Sequence, residues 1–219
     1  MKLRTLVLCE DCWHPADMVQ RGLAALAEPR FDFQFVTEGD KWSSALMADS
    51  QVLIVAKANQ RNATDPSPWL TPQNQVQLRQ FVRRGGGLFV IHSGTAGYGD
   101  LIMMRETTGG VFARHPDQCP VTVRPVAPHI LTRGVHPFTT QDEQYFMVLD
   151  DLRAEIFLHS SSAHGEQPAG WTRTEGQGRV CVLTPGHNSA VWLHPEFQKL
   201  LRNGLNWVTA GHGHDQHDL

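Results

Sequence analysis

The sequence predicts an α/β fold in which helices cover both faces of a mainly parallel sheet. Short apolar runs of strand length alternate with segments of helical periodicity through the first hundred residues. One of these runs, QVLIVAK at 51–57, is apolar through its centre, which is typical of a central parallel strand. The first half of the chain is therefore predicted to be doubly wound.

Four strands and three helices alternate in this half. The predicted strands are the apolar or alternating runs at 3–9, 31–37, 51–57 and 87–92. The helices between them are expected at 15–28, 40–49 and 71–85. The third helix has Thr71 as its predicted N-cap, Pro72 at its first position and Gly85 at its C-terminal end. These three residues mark both helix boundaries.

The pattern changes after residue 105, where strands joined by loops are predicted. Four segments have strand character, at 119–127, 142–149, 154–162 and 179–185. These additional strands are expected either to extend the sheet or to form an antiparallel addition. The segment HPEFQKLLRNGLNWVTA at 194–210 has apolar residues at helical spacing. It predicts a closing helix that packs on the sheet.

Length and composition favour one domain that binds a small molecule. A chain of 219 residues, 41% hydrophobic and 19% charged, indicates neither disorder nor a membrane span. The net charge of −3 and the lack of a basic stripe disfavour a nucleic acid or a membrane as partner. We predict a single domain over 1–211 and a disordered tail over 212–219. The tail histidines are excluded from the site; they are His212, His214 and His217.

The cysteines and the N-terminus predict a cytoplasmic protein. The first apolar run is short and is followed by Glu10 and Asp11, unlike a signal peptide. Four cysteines in a chain of this length do not resemble a secreted disulfide framework, and we expect reduced thiols. The pair Cys9-x-x-Cys12 is interpreted as a strand-end thiol and a loop thiol, in preference to a redox motif or half a zinc site.

Three histidines follow predicted strands and are candidate site residues. His14 comes after the first strand, His92 ends the strand GGGLFVI, and His187 follows RVCVLTPG. In an open α/β sheet, ligands bind at the carboxyl ends of the parallel strands. A single histidine there is more often structural, but three equivalent positions favour a shared site.

Two further segments add polar groups to this candidate site. TTGGVFARHPDQ supplies Gly110 and His115 through a glycine-rich turn, and QDEQYF supplies Asp142 and Glu143. A carboxylate near several imidazoles acts either as a general base or as a metal ligand. Two histidines with a glutamate are a recurrent ligand set for zinc and related metals. The spacings between these residues are too long to identify a motif.

Two other interpretations of the strand and turn around His92 are disfavoured. A nucleophile elbow requires Ser or Cys at its apex, whereas here the apex is His92 and Ser93 follows it. The glycine runs lack the order of phosphate-binding loops, so no nucleotide cofactor is expected. Acid/base catalysis or metal binding by His92 is the interpretation that remains for this turn.

Taken in order, six segments resemble the trehalose-utilisation, or ThuA-like, family. They are GGGLFVIHSG, GGVFARHPDQ, HILTRGVHPF, DEQYFM, GWTRTEGQGRVCVLTPGHN and HPEFQKLLRNGLNWVTAG, within residues 85–211. The resemblance implies a flavodoxin-like three-layer sandwich, similar to class I glutamine amidotransferases. In those enzymes the catalytic cysteine occupies the turn that carries His92 here. Glutamine hydrolysis by a thiolate is therefore not expected.

The resemblance also implies a role in the catabolism of trehalose and related sugars. We expect His92, Glu143, His187 and His115 to be catalytic, and the first three to hold a divalent metal such as zinc. Sugar-binding positions are expected at His14, Ser93, Gly110, His129 and Trp171. His129 has an alternative role as a turn residue, and Trp171 as a core residue. The expected activity is hydrolysis, isomerisation or elimination on a disaccharide or keto-sugar; the alternative is a non-catalytic sugar-binding or regulatory module. The sequence does not determine the oligomeric state, and a homo-oligomer is one of the alternatives.

Overall fold

A nine-stranded sheet runs through the centre of the protein, whose computed structural model describes residues 2–150 and 153–210. The described residues form eleven strands, of which all but β5 and β8 belong to this sheet. They are β1 Leu3–Cys9, β2 Phe31–Val36, β3 Val52–Ala56, β4 Gly87–Ile91, β5 Gly110–Arg114, β6 Cys119–Pro125, β7 Phe138–Asp142, β8 Phe146–Leu149, β9 Glu155–Ser162, β10 Gly165–Glu175 and β11 Gly178–Leu183. The helices are α1 Ala16–Ala24, α2 Ser44–Ala48, α3 Gln75–Arg83, α4 Ile102–Thr108, α5 Ser189–Trp192 and α6 Pro195–Val208. Three short 3₁₀ helices cover Gly39–Lys41, His92–Thr95 and Ile130–Thr132.

The parallel half of the sheet has the order β2-β1-β3-β4-β11. With β11 in the fifth place, this is the 2-1-3-4-5 order of flavodoxin-like folds. All five strands end at the same edge of the sheet, which is their carboxyl edge. The predicted α/β class and the flavodoxin-like arrangement are confirmed.

The second half of the chain extends the same sheet with antiparallel strands. They follow β11 in the order β10, β9, β6 and β7, while β5 and β8 form a separate two-stranded antiparallel sheet. The strand predicted over 142–149 is confirmed only in its second half, because β7 ends at Asp142 and β8 covers Phe146–Leu149 in the other sheet. The structure also shows three strands that the sequence pattern did not predict, β5, β7 and β10.

Two apolar layers cover the faces of the sheet, as expected for a three-layer sandwich. Side chains of β3 alternate between them: Ile54 packs in the layer of α1 and α6, and Leu53 and Val55 pack in the layer of α3 and α4. This alternation follows from the two-residue period of a strand. The helix predicted over 194–210 is α6, and its Phe197 is fully buried.

The third helix begins later than predicted. Its first residue is Gln75, so Thr71 is not the N-cap and Pro72 is not at the first helical position. Thr71 instead donates from its backbone N–H and its hydroxyl to Asn74 Oδ1, at 2.5 and 3.1 Å. This local turn satisfies the polar groups before the helix starts.

The helices of the described residues 2–150 and 153–210 include none that is long and apolar enough to cross a membrane. The predicted tail over 212–219 lies outside the described residues.

Candidate metal centre

Four side chains converge at the carboxyl edge of the parallel strands. They are His14, His92, Glu143 and His187, and one potential ligand atom of each lies within 4.8 Å of the others. His14 and His92 are buried, whereas Glu143 and His187 are partly exposed. The centre therefore has a closed floor and an open side.

The topology of the sheet explains why residues so far apart in sequence meet here. His14, His92 and His187 follow β1, β4 and β11, which are parallel strands ending at one edge. Glu143 follows β7, the last strand of the antiparallel extension. Its neighbour Asp142 anchors this strand end, because its carboxylate accepts the backbone N–H groups of Gly186 and His187 at 3.0 and 2.9 Å.

His92 occupies a strained turn immediately after β4. Its φ of 48° lies in the left-handed region, which is uncommon for any residue other than glycine. The turn passes so close to β3 that a Cβ on Gly94 would lie 2.1 Å from the carbonyl oxygen of Val55. A tight turn held against β3 thus presents the imidazole at the edge of the sheet.

The hydrogen bond of His92 determines which of its ring nitrogens is free. Nδ1 lies 2.8 Å from the carbonyl oxygen of Thr184, which can only accept, so Nδ1 carries the hydrogen. In the neutral ring the lone pair is then on Nε2. This atom is buried without a hydrogen-bond partner and lies 3.6 Å from Glu143 Oε2. The ring of Tyr145 stacks on this imidazole with a centroid distance of 4.0 Å.

His14 has the same arrangement, with Asp11 in place of the carbonyl. His14 Nδ1 lies 2.8 Å from Asp11 Oδ1, and its Nε2 faces His187 Nδ1 at 3.1 Å. Burial raises the pKa of Asp11, but its bonds with His14 and with backbone N–H groups outweigh this and lower the pKa to about 2. Burial lowers the pKa of His14 despite the hydrogen bond that His14 donates to Asp11. A neutral His14 therefore points a lone pair at the centre.

Glu143 is the negative charge of the centre. Its Oε2 lies 3.1 Å from His187 Nδ1 and 3.6 Å from His92 Nε2. Partial burial raises the pKa of Glu143, but the interactions with His187 and His92 hold it well below its usual range. The bond with Glu143 also raises the pKa of His187. Glu143 is therefore an ionised carboxylate.

His115 lies next to these four residues. Its Nε2 is 3.7 Å from Glu143 Oε2, and its Nδ1 is 2.8 Å from the carbonyl oxygen of Pro116. Its side chain is 37% exposed, against 2% for His92. An accessible imidazole beside a buried one suits proton exchange with a molecule that enters from the open side.

The other predicted site residues have different surroundings. Ser93 is buried in the turn after His92, and Gly110 is buried at the start of β5, where a Cβ would lie 2.8 Å from the carbonyl oxygen of Val148.

His129 caps the 3₁₀ helix Ile130–Thr132 and stacks on Phe157, which agrees with its alternative as a turn residue. Trp171 is fully buried in the layer of α3 and donates from its indole to the carbonyl oxygen of Thr108 at 2.8 Å. It cannot stack on a sugar in this position.

Sequence reasoning missed two residues that shape the centre. Asp11 had a detectable signal, since it lies three residues before His14 in a loop at a strand end. Tyr145 belongs to the DEQYFM segment, yet no sequence pattern indicated that its ring covers His92. Asp11 contacts His14 and Tyr145 stacks on His92, and neither residue belongs to the set of four potential ligands.

Together, the fold and this centre define a flavodoxin-like α/β protein with a histidine–carboxylate site at the carboxyl edge of its sheet. The family model of ThuA, described as trehalose utilisation, matches residues 6–208. The chain belongs to the ThuA family, and this membership implies a role in trehalose utilisation.

Solved structures of related fold include two ThuA-like proteins. One, from Bacteroides uniformis, is 18% identical with a TM-score of 0.74, covering 94% of this chain and 91% of that chain. The other, from Parabacteroides merdae, is 16% identical with a TM-score of 0.76, covering 96% and 91%.

A β-galactosidase from Bacillus circulans is also similar in fold, at 11% identity and a TM-score of 0.66, with coverage of 94% of this chain and 31% of that chain. At these identities the likeness concerns the fold alone. No curated protein matches this chain significantly in sequence.

Proposed function

We propose that the chain is a divalent-metal-dependent enzyme that acts on a disaccharide or a keto-sugar. The observation that carries this proposal is the unpaired Nε2 of His92, which faces the ionised Glu143 at 3.6 Å in a buried site. When Nδ1 of His92 donates to Thr184 and the ring is neutral, Nε2 has only a lone pair, and this lone pair and the Glu143 carboxylate are unfavourable neighbours unless a cation, either a proton or a metal ion, lies between them. A metal ion relieves this conflict by accepting both lone pairs.

The donor set and its distances fit zinc or a similar ion. Three imidazoles and one carboxylate are ligands typical of zinc. With bonds of about 2.0–2.1 Å in a tetrahedron, ligand atoms lie roughly 3.3–3.4 Å apart. His187 Nδ1 lies 3.1 Å from both His14 Nε2 and Glu143 Oε2, and His92 Nε2 lies 3.6 Å from Glu143 Oε2. These three separations bracket the value required, and all four ligand atoms lie within 4.8 Å of one another, so the wider pairs must move closer when an ion binds.

The hydrogen-bond acceptors of His14 and His92 are of the kind found next to metal-ligating histidines. Ligating histidines usually donate their other ring N–H to a carboxylate or a backbone carbonyl, which orients the ring. Here Asp11 receives Nδ1–H of His14, and the carbonyl of Thr184 receives Nδ1–H of His92. Both lone pairs are therefore directed into the centre before any ion arrives.

The chemistry follows from these roles. Because four protein ligands fill a tetrahedron, a metal held by His14, His92, Glu143 and His187 would have to expand to five-coordinate, and it would then supply Lewis-acid polarisation of a substrate oxygen or a bound water of lowered pKa. His115, beside the ligands and more exposed, transfers the proton to or from the sugar. Hydrolysis, isomerisation and elimination each require such a proton transfer next to a polarised oxygen. The family role in trehalose utilisation supports a sugar as the substrate.

Metal content and turnover test the proposal. We would use the full chain with its three tail histidines replaced by alanine, together with H92A, E143Q and a control, His159→Ala. His159 bonds Glu166 on β10 and is not one of the four converging residues. We expect one equivalent of zinc in the parent and the control, and strong loss in H92A and E143Q. Turnover of trehalose or its keto derivative should follow the zinc content. Equal metal content in all four proteins would contradict the proposal.

We also propose a cytoplasmic location and a small-molecule sugar as the partner, without a nucleotide cofactor. The four cysteines, Cys9, Cys12, Cys119 and Cys181, are all free thiols. Free thiols are typical of a reducing compartment.

A further inference from the structure

Trp13 differs from the other tryptophans of the chain. Its side chain is 73% exposed, the largest exposure among the large hydrophobic residues exposed in the structure. Four of the others are buried and Trp207 is half-buried; the buried ones are Trp42, Trp69, Trp171 and Trp192. An indole left in water forgoes a large apolar surface that folding normally buries. A role outside the core would account for this exposure.

The backbone that carries Trp13 is held by hydrogen bonds to two side chains. The Trp13 N–H donates to Asp11 Oδ1 at 2.9 Å, and the Cys12 N–H donates to Gln60 Oε1 at 3.1 Å. Glu10 has a φ of 74°, a left-handed conformation that turns the chain sharply out of β1. The indole is therefore presented on a fixed loop, which lowers the entropic cost of binding a ligand to it.

The same anchor connects Trp13 to the candidate metal centre. Asp11 Oδ1, which accepts the Trp13 N–H, also accepts from His14 Nδ1 and from the His14 backbone at 2.8 and 3.0 Å. Trp13 and His14 are adjacent residues of one loop at the carboxyl edge. The exposed Trp13 and the buried His14 thus share one anchored loop at the edge where His14, His92 and His187 meet.

We propose that the indole of Trp13 is the stacking platform for a sugar ring of the substrate. A pyranose has an apolar C–H face that packs on an aromatic ring while its hydroxyls stay hydrated. This inference rests on the proposed function for the choice of a sugar, and it adds the residue that binds it. It also replaces Trp171, whose burial prevents it from stacking on a sugar.

A second copy of the chain is the competing occupant. One indole offers roughly 150–250 Å² of surface, while a stable interface buries roughly 1,200–2,000 Å². The other exposed large hydrophobics are on different elements and are Ile102, Ile130, Val148 and Leu193. The small surface of a single indole therefore favours a small ligand.

Fluorescence quenching of the full chain tests the platform. Acrylamide quenching would be measured with and without trehalose, maltose, sucrose and glucose as probes. We expect at least one disaccharide to protect the parent protein and W207F, but not W13F. By titration calorimetry, which does not depend on Trp13 as the reporter, we expect W13A to weaken binding of that sugar about tenfold, equal to about 1.4 kcal/mol, and W13F to restore part of the affinity. Sugar affinity equal in the parent and W13A, or no protection by any probe, would overturn the proposal.

Two controls separate this inference from the proposed function. The zinc content of W13A should equal that of the parent, because Trp13 contributes only its backbone N–H to Asp11. If the parent protein binds zinc but no sugar protects Trp13 from quenching, the platform is refuted and the metal centre stands. If a sugar protects Trp13 but the protein binds no zinc, the metal centre is refuted and the platform stands. Light scattering of W13A should show an unchanged mass, and dissociation of an oligomer would assign the indole to an interface and refute the platform.

Discussion

Replacing Asp11 with asparagine tests whether this carboxylate prepares the centre for a metal. Asp11 Oδ1 accepts the N–H groups of Trp13 and His14 and the ring Nδ1–H of His14, at 2.9, 3.0 and 2.8 Å. Its Oδ2 accepts the N–H of Ala58 at 2.8 Å. An asparagine has one acceptor oxygen, so its amide group must face at least one of these donors.

The size of the effect follows from these bonds. A hydrogen bond to a charged group contributes roughly 1.5–3 kcal/mol, so D11N should lower the free energy of unfolding of the metal-free protein by about 2 kcal/mol. Loss of a partner behind a ligating histidine typically weakens metal binding about 10–100-fold, because His14 is no longer held in its orientation. The two losses are separate measurements with separate causes.

The assay is zinc competition with a chromophoric chelator, together with urea unfolding in excess EDTA. The matched control is Asp17→Asn on α1, whose carboxylate is 61% exposed and pairs with Arg21. We expect the control to change stability by less than about 0.5 kcal/mol and to leave zinc affinity unchanged. Reduced stability of D11N with undiminished zinc affinity would refute the reasoning.

Three further substitutions give distinct expectations. H115A should keep its zinc but lower turnover about 10²–10⁴-fold, measured at saturating metal, and equal turnover would exclude proton transfer by His115. G94A should lose about 1–3 kcal/mol of stability in thermal unfolding, because its Cβ would meet the Val55 carbonyl oxygen at 2.1 Å. E175Q should lose about 1–2 kcal/mol at pH 7, since Glu175 is 6% exposed and accepts from the half-exposed Arg83 at 2.8 Å. Burial raises the pKa of Glu175, but the bonds from its arginines outweigh this and lower it, so the stabilisation is present above pH 4.5 and is lost as pH falls below it. Urea unfolding of both proteins from pH 7 to pH 3 should show the difference narrowing, and a constant difference would contradict this account.

The sequence predicts the parallel half of the fold because its signals are local. The buried run at 51–57 and the alternation of strands with helices require no knowledge of distant contacts, and both correspond to elements of the structure. The antiparallel half depends on pairing between distant strands. β10 contains Pro168 and Gly170, and its register with β9 shifts next to them. Proline and glycine are uncommon inside strands, so the sequence of this segment does not predict a strand.

The same distinction between local signals and distant contacts applies to the residues of the candidate centre. His14, His92 and His187 could be predicted to meet, because each follows a parallel strand and topology alone brings such positions together. The position of Asp11 three residues before His14 indicates that the two can pair, but its contact with the Ala58 N–H depends on a loop that folds back and has no signal in the sequence. Tertiary contacts of this kind leave no periodic signal.

The most direct test of the central claim is X-ray absorption at the zinc edge. The sample is the zinc-loaded full chain with its three tail histidines replaced by alanine. We expect a first shell of three histidine nitrogens and carboxylate or water oxygens at about 2.0–2.1 Å, with the multiple scattering that imidazole rings produce. E143Q should bind far less zinc under the same conditions. A sulfur shell at about 2.3 Å, or a shell of oxygens without imidazole, would contradict a centre built from His14, His92, Glu143 and His187.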